Sequence, residues 1–167
     1  ELSQLAEGDT HPNPCVGCVI VNDGIIVGEG HHLRAGVAHA EVEALIQAGD
    51  KARGATLYVN LEPCCHQGRT PPCTDAIIRA GVARVVCAMK DPNPLVSGGG
   101  IDVLRTAGVD VEFGLLEPEA RWINRGFITR MMIGRPWVAL KIGATLDGRT
   151  ATQGGESQWI TGSESRE

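Results

Sequence analysis

A three-layer α/β/α sandwich built on a mixed sheet of about five strands is the fold class that this 167-residue sequence predicts. Strand-like and helix-like runs alternate from Ala55 to Gly114, the pattern of βαβ units whose parallel strands are flanked by helices. Ahead of them stands an antiparallel pair, because Asp23-Gly24 separates two β-branched runs and is a good hairpin signal. The length suits one full core and falls short of two.

In chain order, Leu2 to Ala6 reads as the closing turns of an amphipathic helix that begins before residue 1 and stops at Gly8. THPNPCVG, from Thr10, is turn chemistry, since its prolines fix φ and push the preceding residues into extended conformations. CVGCVIV from Cys15 and IIVGEGHH from Ile25 supply the hairpin strands. The period changes at His39, where Ala40, Ala44 and Ala48 with Val42, Leu45 and Ile46 define a helix ended by Gly49. ATLYVN (Ala55 to Asn60) is a strand, CTDAIIRAG (Cys73 to Gly81) a helix with glycine at its stop, and ARVVCAM (Ala83 to Met89) the next strand. The Pro- and Gly-rich loop DPNPLVSGGG (Asp91 to Gly100) leads into a helix through Gly108 and a strand through Gly114. EPEARWINRGFITRMM, from Glu117, reads as one longer helix with Pro118 near its start.

Beyond Gly134 the character changes. Residues 136–167 open with a strand, run through polar turns and stop at the opening of a helix with Ser163 as N-cap. The expectation is one domain over residues 1–135 and the first elements of an incomplete second domain over 136–167; a disordered tail is the alternative.

Composition removes some functions. A net charge of −5 announces no basic surface for nucleic acid. No apolar run approaches the roughly 18–20 residues that span a bilayer. Of six cysteines, Cys15, Cys18 and Cys87 lie in apolar strand-like runs and read as small buried hydrophobes. Cys64, Cys65 and Cys73 cluster with Pro, His and Gly, as metal-binding or reactive cysteines do. A reducing, cytoplasmic setting follows as the expectation.

The chemistry concentrates between His39 and Cys73. One imidazole and two thiols are offered there, with Glu41 two residues beyond the imidazole. His-x-Glu followed by Pro-Cys…Cys resembles the signature of the zinc-dependent nucleobase deaminases, and His39-x-Glu41 with Pro63-Cys64…Cys73 matches it. Such a site holds one zinc ion on three protein ligands, here His39, Cys64 and Cys73, and leaves the fourth position to water, whose pKa the ion lowers toward about 7. Glu41 is then placed to move protons without binding the metal, in a hydrolytic deamination. The competing reading is a closed structural zinc knot with Cys65 or His66 as fourth ligand, in which Glu41 would have no task. Cys15-x-x-Cys18 has the spacing of a zinc half-site, but strand alternation turns the two to different sides. His31 and His32, at a strand end, read as exposed on chemistry alone.

Most deaminases of this type space their cysteines as Pro-Cys-x-x-Cys, whereas here the run is Pro-Cys-Cys-His-Gln-Gly-Arg-Thr-Pro-Pro-Cys. That expanded form, with HPNPCVGCVIV, HAEVEAL and DPNPLVSGGG, resembles the bacterial bifunctional riboflavin-biosynthesis deaminase/reductase family over essentially the whole chain. The resemblance implies a cytidine-deaminase-like fold and deamination of the 2-amino group of 2,5-diamino-6-ribosylamino-4(3H)-pyrimidinone 5′-phosphate. It places Asn13 and His32 near the pyrimidine, and His66, Arg69, Asp91 and Asn93 near the ribose phosphate. In LKIGATLDGRTATQGGESQWITGSESR it implies the opening of an NADPH-dependent reductase domain, with Ser157 at its substrate and Gly143 and Trp159 at its cofactor. Physical chemistry agrees where it speaks: Arg69 suits a two-pronged phosphate contact, and Gly98-Gly99-Gly100 ahead of a helix could bring N–H groups toward a phosphate, though an ordinary flexible loop accounts for those glycines equally well. Cys65 departs from the Ser or Asn more usual in the family. The expected partner is a small phosphorylated pyrimidine, with no nucleic acid or membrane, and the expected assembly a homo-oligomer. Rival readings are a deaminase of cytidine, guanine or tRNA adenosine, and a zinc-stabilised interaction module.

Overall fold

The computed structural model describes residues 1–68 and 70–165, Ser165 by its backbone only. It divides into two compact units, Glu1–Trp137 and Val138–Glu167.

The first unit is built on five strands, β1 (Gly17–Asn22), β2 (Ile25–His31), β3 (Thr56–Val59), β4 (Arg84–Cys87) and β5 (Asp110–Phe113), in the order β2-β1-β3-β4-β5. β1 pairs antiparallel with both β2 and β3, and β3, β4 and β5 run parallel. The mixed sheet expected from the hairpin and the βαβ alternation is the one that forms. Five helices accompany it: α1 (Ala40–Ala48), α2 (Cys73–Ala80), α3 (Gly99–Thr106), α4 (Glu117–Ile123) and α5 (Arg125–Ile133).

The core explains the layering. Ala44 of α1, Ile77 of α2 and Leu104 of α3 bury against Ile20, Leu57, Val85 and Val111 of the sheet. Each such buried Leu, Ile or Val side chain contributes about 1.5–3 kcal/mol relative to exposure. Tyr58, pointing the other way from Leu57 and Val59, stays 40% exposed. A smaller cluster forms just past the ends of β3 and β4, where Ala120 of α4 and Phe127 and Ile128 of α5 meet Leu61, Ala88 and Met89. The sheet thus carries three helices on one layer, and α4 and α5 close the end at which its parallel strands finish.

Two close approaches fix the height of α1. A Cβ on Gly28 would lie 2.1 Å from the Ala44 oxygen, and one on Gly30 would lie 2.3 Å from the Ala40 oxygen. Only glycine at these two strand positions lets the helix backbone rest directly on β2.

Four local expectations are corrected. Leu2–Ala6 is a 3-10 turn rather than the end of an α-helix. The segment from Glu117 is two helices, broken at Asn124, whose side chain is turned inward to bond the backbone of Cys15 instead of continuing a helical surface. No strand forms after Gly134 among the described residues, because the segment finds no ladder partner there. The turn at Ser163–Ser165 is 3-10. No helix among the described residues is long and apolar enough to cross a membrane.

Candidate active site

His39 is the N-cap of α1, and Cys73 is the first residue of α2, so two helix starts deliver two of the three candidate ligands. Cys64 comes from the loop after β3, and the three ligand atoms all lie within 4.8 Å of one another. His39 Nδ1 is 3.2 Å from Cys73 Sγ and 3.6 Å from Cys64 Sγ. Tetrahedral zinc on imidazole and thiolate places its ligand atoms about 3.5–3.8 Å apart, so the group is already close to coordination geometry. Thr70 Oγ1 lies 3.3 Å from His39 Nε2 and can accept its proton, which leaves Nδ1, the nitrogen facing the thiols, as the free lone pair.

The thiols are prepared for a cation. Cys64 is held well below the usual thiol range, chiefly by its hydrogen bond with Cys73, then by His39 and the Cys73 N–H, which donates to Cys64 Sγ at 3.3 Å. That same hydrogen bond, followed by burial, pushes Cys73 up. Two neighbouring sulfurs sharing one proton form the donor set that a divalent ion relieves, and the residues fit zinc. Cys65 is not part of the group, so the structure gathers three ligands, as an open site requires.

Glu41, in the first turn of α1, is 3% exposed, and burial raises its carboxyl above the ordinary range. It lines the same cavity as His39 and Cys64, a space of about 430 Å³. Asn13 and His32 reach this cavity from the N-terminal side, and His66, Asp91 and Asn93 from the loops after β3 and β4. His32 is buried at 2% exposure, against the exposed position expected from its strand end, because its ring is held at both nitrogens. Nδ1 donates to the Ala38 carbonyl at 3.1 Å, and Nε2 accepts from Asn13 Nδ2 at 3.0 Å. Burial lowers its pKa, which matches a neutral ring with that tautomer. Asp91 is pushed up to about 6, chiefly by burial. Its Oδ1 accepts the Asn93 N–H at 2.8 Å, while Asn93 Oδ1 accepts from Leu95, so the acceptor end of Asn93 is committed to its own turn. His66 Nδ1 is buried with no hydrogen-bond partner among the described residues. A second groove of about 500 Å³ shares Asn13 with this cavity but none of the three metal-type ligands.

Residues 1–89 match the family model for the cytidine and deoxycytidylate deaminase zinc-binding region. The chain belongs to that deaminase family. Residues 136–167 match the family model for the RibD C-terminal domain. Over 166 residues the chain is 61% identical to riboflavin biosynthesis protein RibD of Escherichia coli (strain K12), an alignment covering 99% of this chain and 45% of that one. Among solved structures, Acinetobacter baumannii RibD superposes with a TM-score of 0.90 at 55% identity, over 99% of this chain and 46% of that one. A Thermotoga maritima diaminohydroxyphosphoribosylaminopyrimidine deaminase/5-amino-6-(5-phosphoribosylamino)uracil reductase gives 0.91 at 48% identity, over 96% and 47%. The chain spans just under half the length of these curated relatives.

Arg69, expected at the phosphate, lies outside the described residues. Gly143, Ser157 and Trp159 lie in the second unit, where Trp159 is exposed and a Cβ on Gly143 would sit 3.9 Å from Thr161. The glycines after Asp91 do not cradle a phosphate: the N–H groups of Gly98 and Gly100 donate to the side chain of Glu62. Sequence reasoning missed Glu62 and Thr70, for which no local pattern exists. It also missed Phe127, Arg130 and Met131, which line the cavity from α5. Their i, i+3, i+4 spacing was a visible signal for one shared helix face.

Proposed function

We propose that the first unit catalyses zinc-dependent hydrolytic deamination in riboflavin biosynthesis. The substrate is 2,5-diamino-6-ribosylamino-4(3H)-pyrimidinone 5′-phosphate, whose 2-amino group is replaced by oxygen. The observation that carries this reading is the cluster of His39, Cys64 and Cys73 within 4.8 Å, opening on a cavity that also holds buried Glu41. Names of the relatives supply the substrate class.

His39, Cys64 and Cys73 would hold the zinc, which would supply Lewis acidity when bound. Glu41 would take a proton from the attacking water as its oxygen adds to C2 of the pyrimidine, and deliver it to the adjacent ring nitrogen. The remaining hydroxyl proton passes through the same carboxyl to the amino group, the C2–N bond breaks, and ammonia leaves. Burial suits Glu41 to this work, since a carboxyl raised toward the working pH both accepts and returns a proton. Asn13 and His32 orient the pyrimidine. Asp91, the side-chain amide of Asn93, and the His66 Nδ1, which has no partner among the described residues, read the ribose phosphate, with Arg69 as its cation.

Residues 136–167 are read as the first elements of an NADPH-dependent reductase domain, with Gly143 and Trp159 toward the cofactor and Ser157 toward the substrate. The assembly is a homo-oligomer in the cytoplasm. Ammonia release decides the main reading: the phosphorylated diaminopyrimidine should be turned over by the zinc-loaded chain, and cytidine and guanine should not. Turnover of cytidine or guanine in its place would overturn it.

A further inference from the structure

Glu62 ends the run that leaves β3, two residues before Cys64, and is 3% exposed. Its main-chain N–H donates to the Met89 carbonyl at 3.0 Å. Its carboxylate accepts four backbone N–H groups from elsewhere in the chain. Oε2 takes those of Asp91 at 3.1 Å and Gly98 at 2.9 Å, and Oε1 takes those of Gly100 at 3.0 Å and Ile101 at 3.1 Å. One oxygen therefore pins both ends of the loop 91–98, and the other holds the start of α3, which has no side-chain cap of its own. The main chain follows the side chain closely, since a Cβ on Gly100 would lie 2.0 Å from the Pro63 oxygen.

We infer that Glu62 is a positioning residue that sets the span between the Cys64 end of the cavity and the Asp91–Asn93 loop, and so selects pyrimidines carrying a ribosyl arm. The inference rests on the deaminase reading above. Its physical basis is that the anchor is shared: the residue leading into Cys64 is also the only side chain bonded to the main chain at both ends of the loop 91–98 among the described residues. A carboxylate is needed because it accepts at both oxygens. Glutamine in its place turns an NH₂ group toward two N–H donors whichever way it is flipped.

The test uses Glu62→Gln and Glu62→Asp in the zinc-loaded chain. Kinetics are measured on the ribosylamino phosphate and on the same pyrimidine lacking the ribosyl phosphate, with zinc content and residue-resolved hydrogen exchange alongside. For Glu62→Gln, zinc should stay at the wild-type level and exchange should quicken about 10-fold or more at Asp91, Gly98, Gly100 and Ile101, with β3 and β4 unchanged. KM for the ribosylated compound should rise about 10-fold while kcat stays within about threefold, and the penalty on the bare pyrimidine should be clearly smaller. Glu62→Asp keeps two accepting oxygens on a shorter arm and should show the same split, reduced; it also serves if the glutamine variant does not fold. Equal losses on both compounds, or exchange unchanged at the four amides, overturn the inference. A wild-type chain that releases no ammonia from the ribosylated compound sinks the deaminase reading instead, and with it the selection of a ribosyl arm, whereas the exchange pattern still reports whether the anchor exists.

Discussion

The side-chain amide of Asn124 grips the peptide of Cys15 at both ends, accepting its N–H at 2.8 Å and donating to its carbonyl at 3.1 Å. Asn60 joins from the other direction, donating to the same Cys15 carbonyl at 2.9 Å and accepting from Gly17 at 2.9 Å. The turn that carries Asn13 is thereby tied to the α4–α5 break and to the end of β3. Asn124→Ala leaves the Cys15 N–H buried without an acceptor, and the expected loss is about 1–3 kcal/mol of unfolding free energy. Denaturant titration checks it, and an unchanged midpoint would show that the clasp contributes nothing.

Metal analysis separates the three clustered cysteines. Cys64→Ser and Cys73→Ser should each lose nearly all zinc, because each removes one of the three grouped ligands. Cys65→Ser should keep it. Loss of zinc from Cys65→Ser alone would contradict the assignment.

Glu41→Gln should retain both fold and zinc while ammonia release falls by at least about 10²-fold, the low end for general acid–base catalysis. The amide has almost the same shape and is already buried, so a matching drop in thermal stability would instead indicate a structural role.

Much of this was legible in the chain, and the residues show why. β-branched runs such as Val19-Ile20-Val21 and Val85-Val86 declare strands through their own sterics, and His39-x-Glu41 declares chemistry through local spacing. What escaped depends on partners far away in sequence. The glycines at 98–100 could pass for a phosphate cradle until Glu62, more than thirty residues earlier, is seen to occupy the N–H groups of Gly98 and Gly100, while that of Gly99 donates to the Val96 carbonyl. Asn124 sits in an otherwise helical pattern, and only the Cys15 backbone, 109 residues away, explains the break. His32 reads as a strand-end histidine until Ala38 and Asn13 close around its ring.

Asp91 gives a pH prediction with a definite sign. Its folded pKa, pushed up to about 6 chiefly by burial, lies above the ordinary carboxyl value, so the folded state holds the proton more tightly than the unfolded one. Its contribution to stability is full below about pH 4 and is lost as pH rises through about 6. Asp91→Asn keeps an acceptor for the Asn93 N–H without the charge, so its stability relative to the parent should be higher at pH 7.5 than at pH 4.5. Denaturation midpoints of the two proteins at both pH values check this, and a constant difference would remove the carboxyl as its source.

Arg130, on the α5 face toward the cavity, is the one Lys or Arg among the described residues that line it. Arg130→Ala should raise KM for the phosphorylated substrate more than for its dephosphorylated form, by roughly 10-fold if it contacts the phosphate. Arg69→Ala, tested in parallel, shows whether the two arginines share that load. Equal effects on both substrates would assign Arg130 to packing of the helix.

Seating α1 on the bare backbone of Gly28 and Gly30 makes His39's placement a matter of shape. Steric seating does not weaken when counterions are added, whereas exposed ion pairs such as Arg84 with Asp110 do. The helix cannot slide along β2 without its carbonyl oxygens leaving the notches left by those two missing side chains. Register between the imidazole and the two sulfurs is therefore indifferent to ionic strength, and brine that loosens the rim of the molecule leaves its centre in alignment.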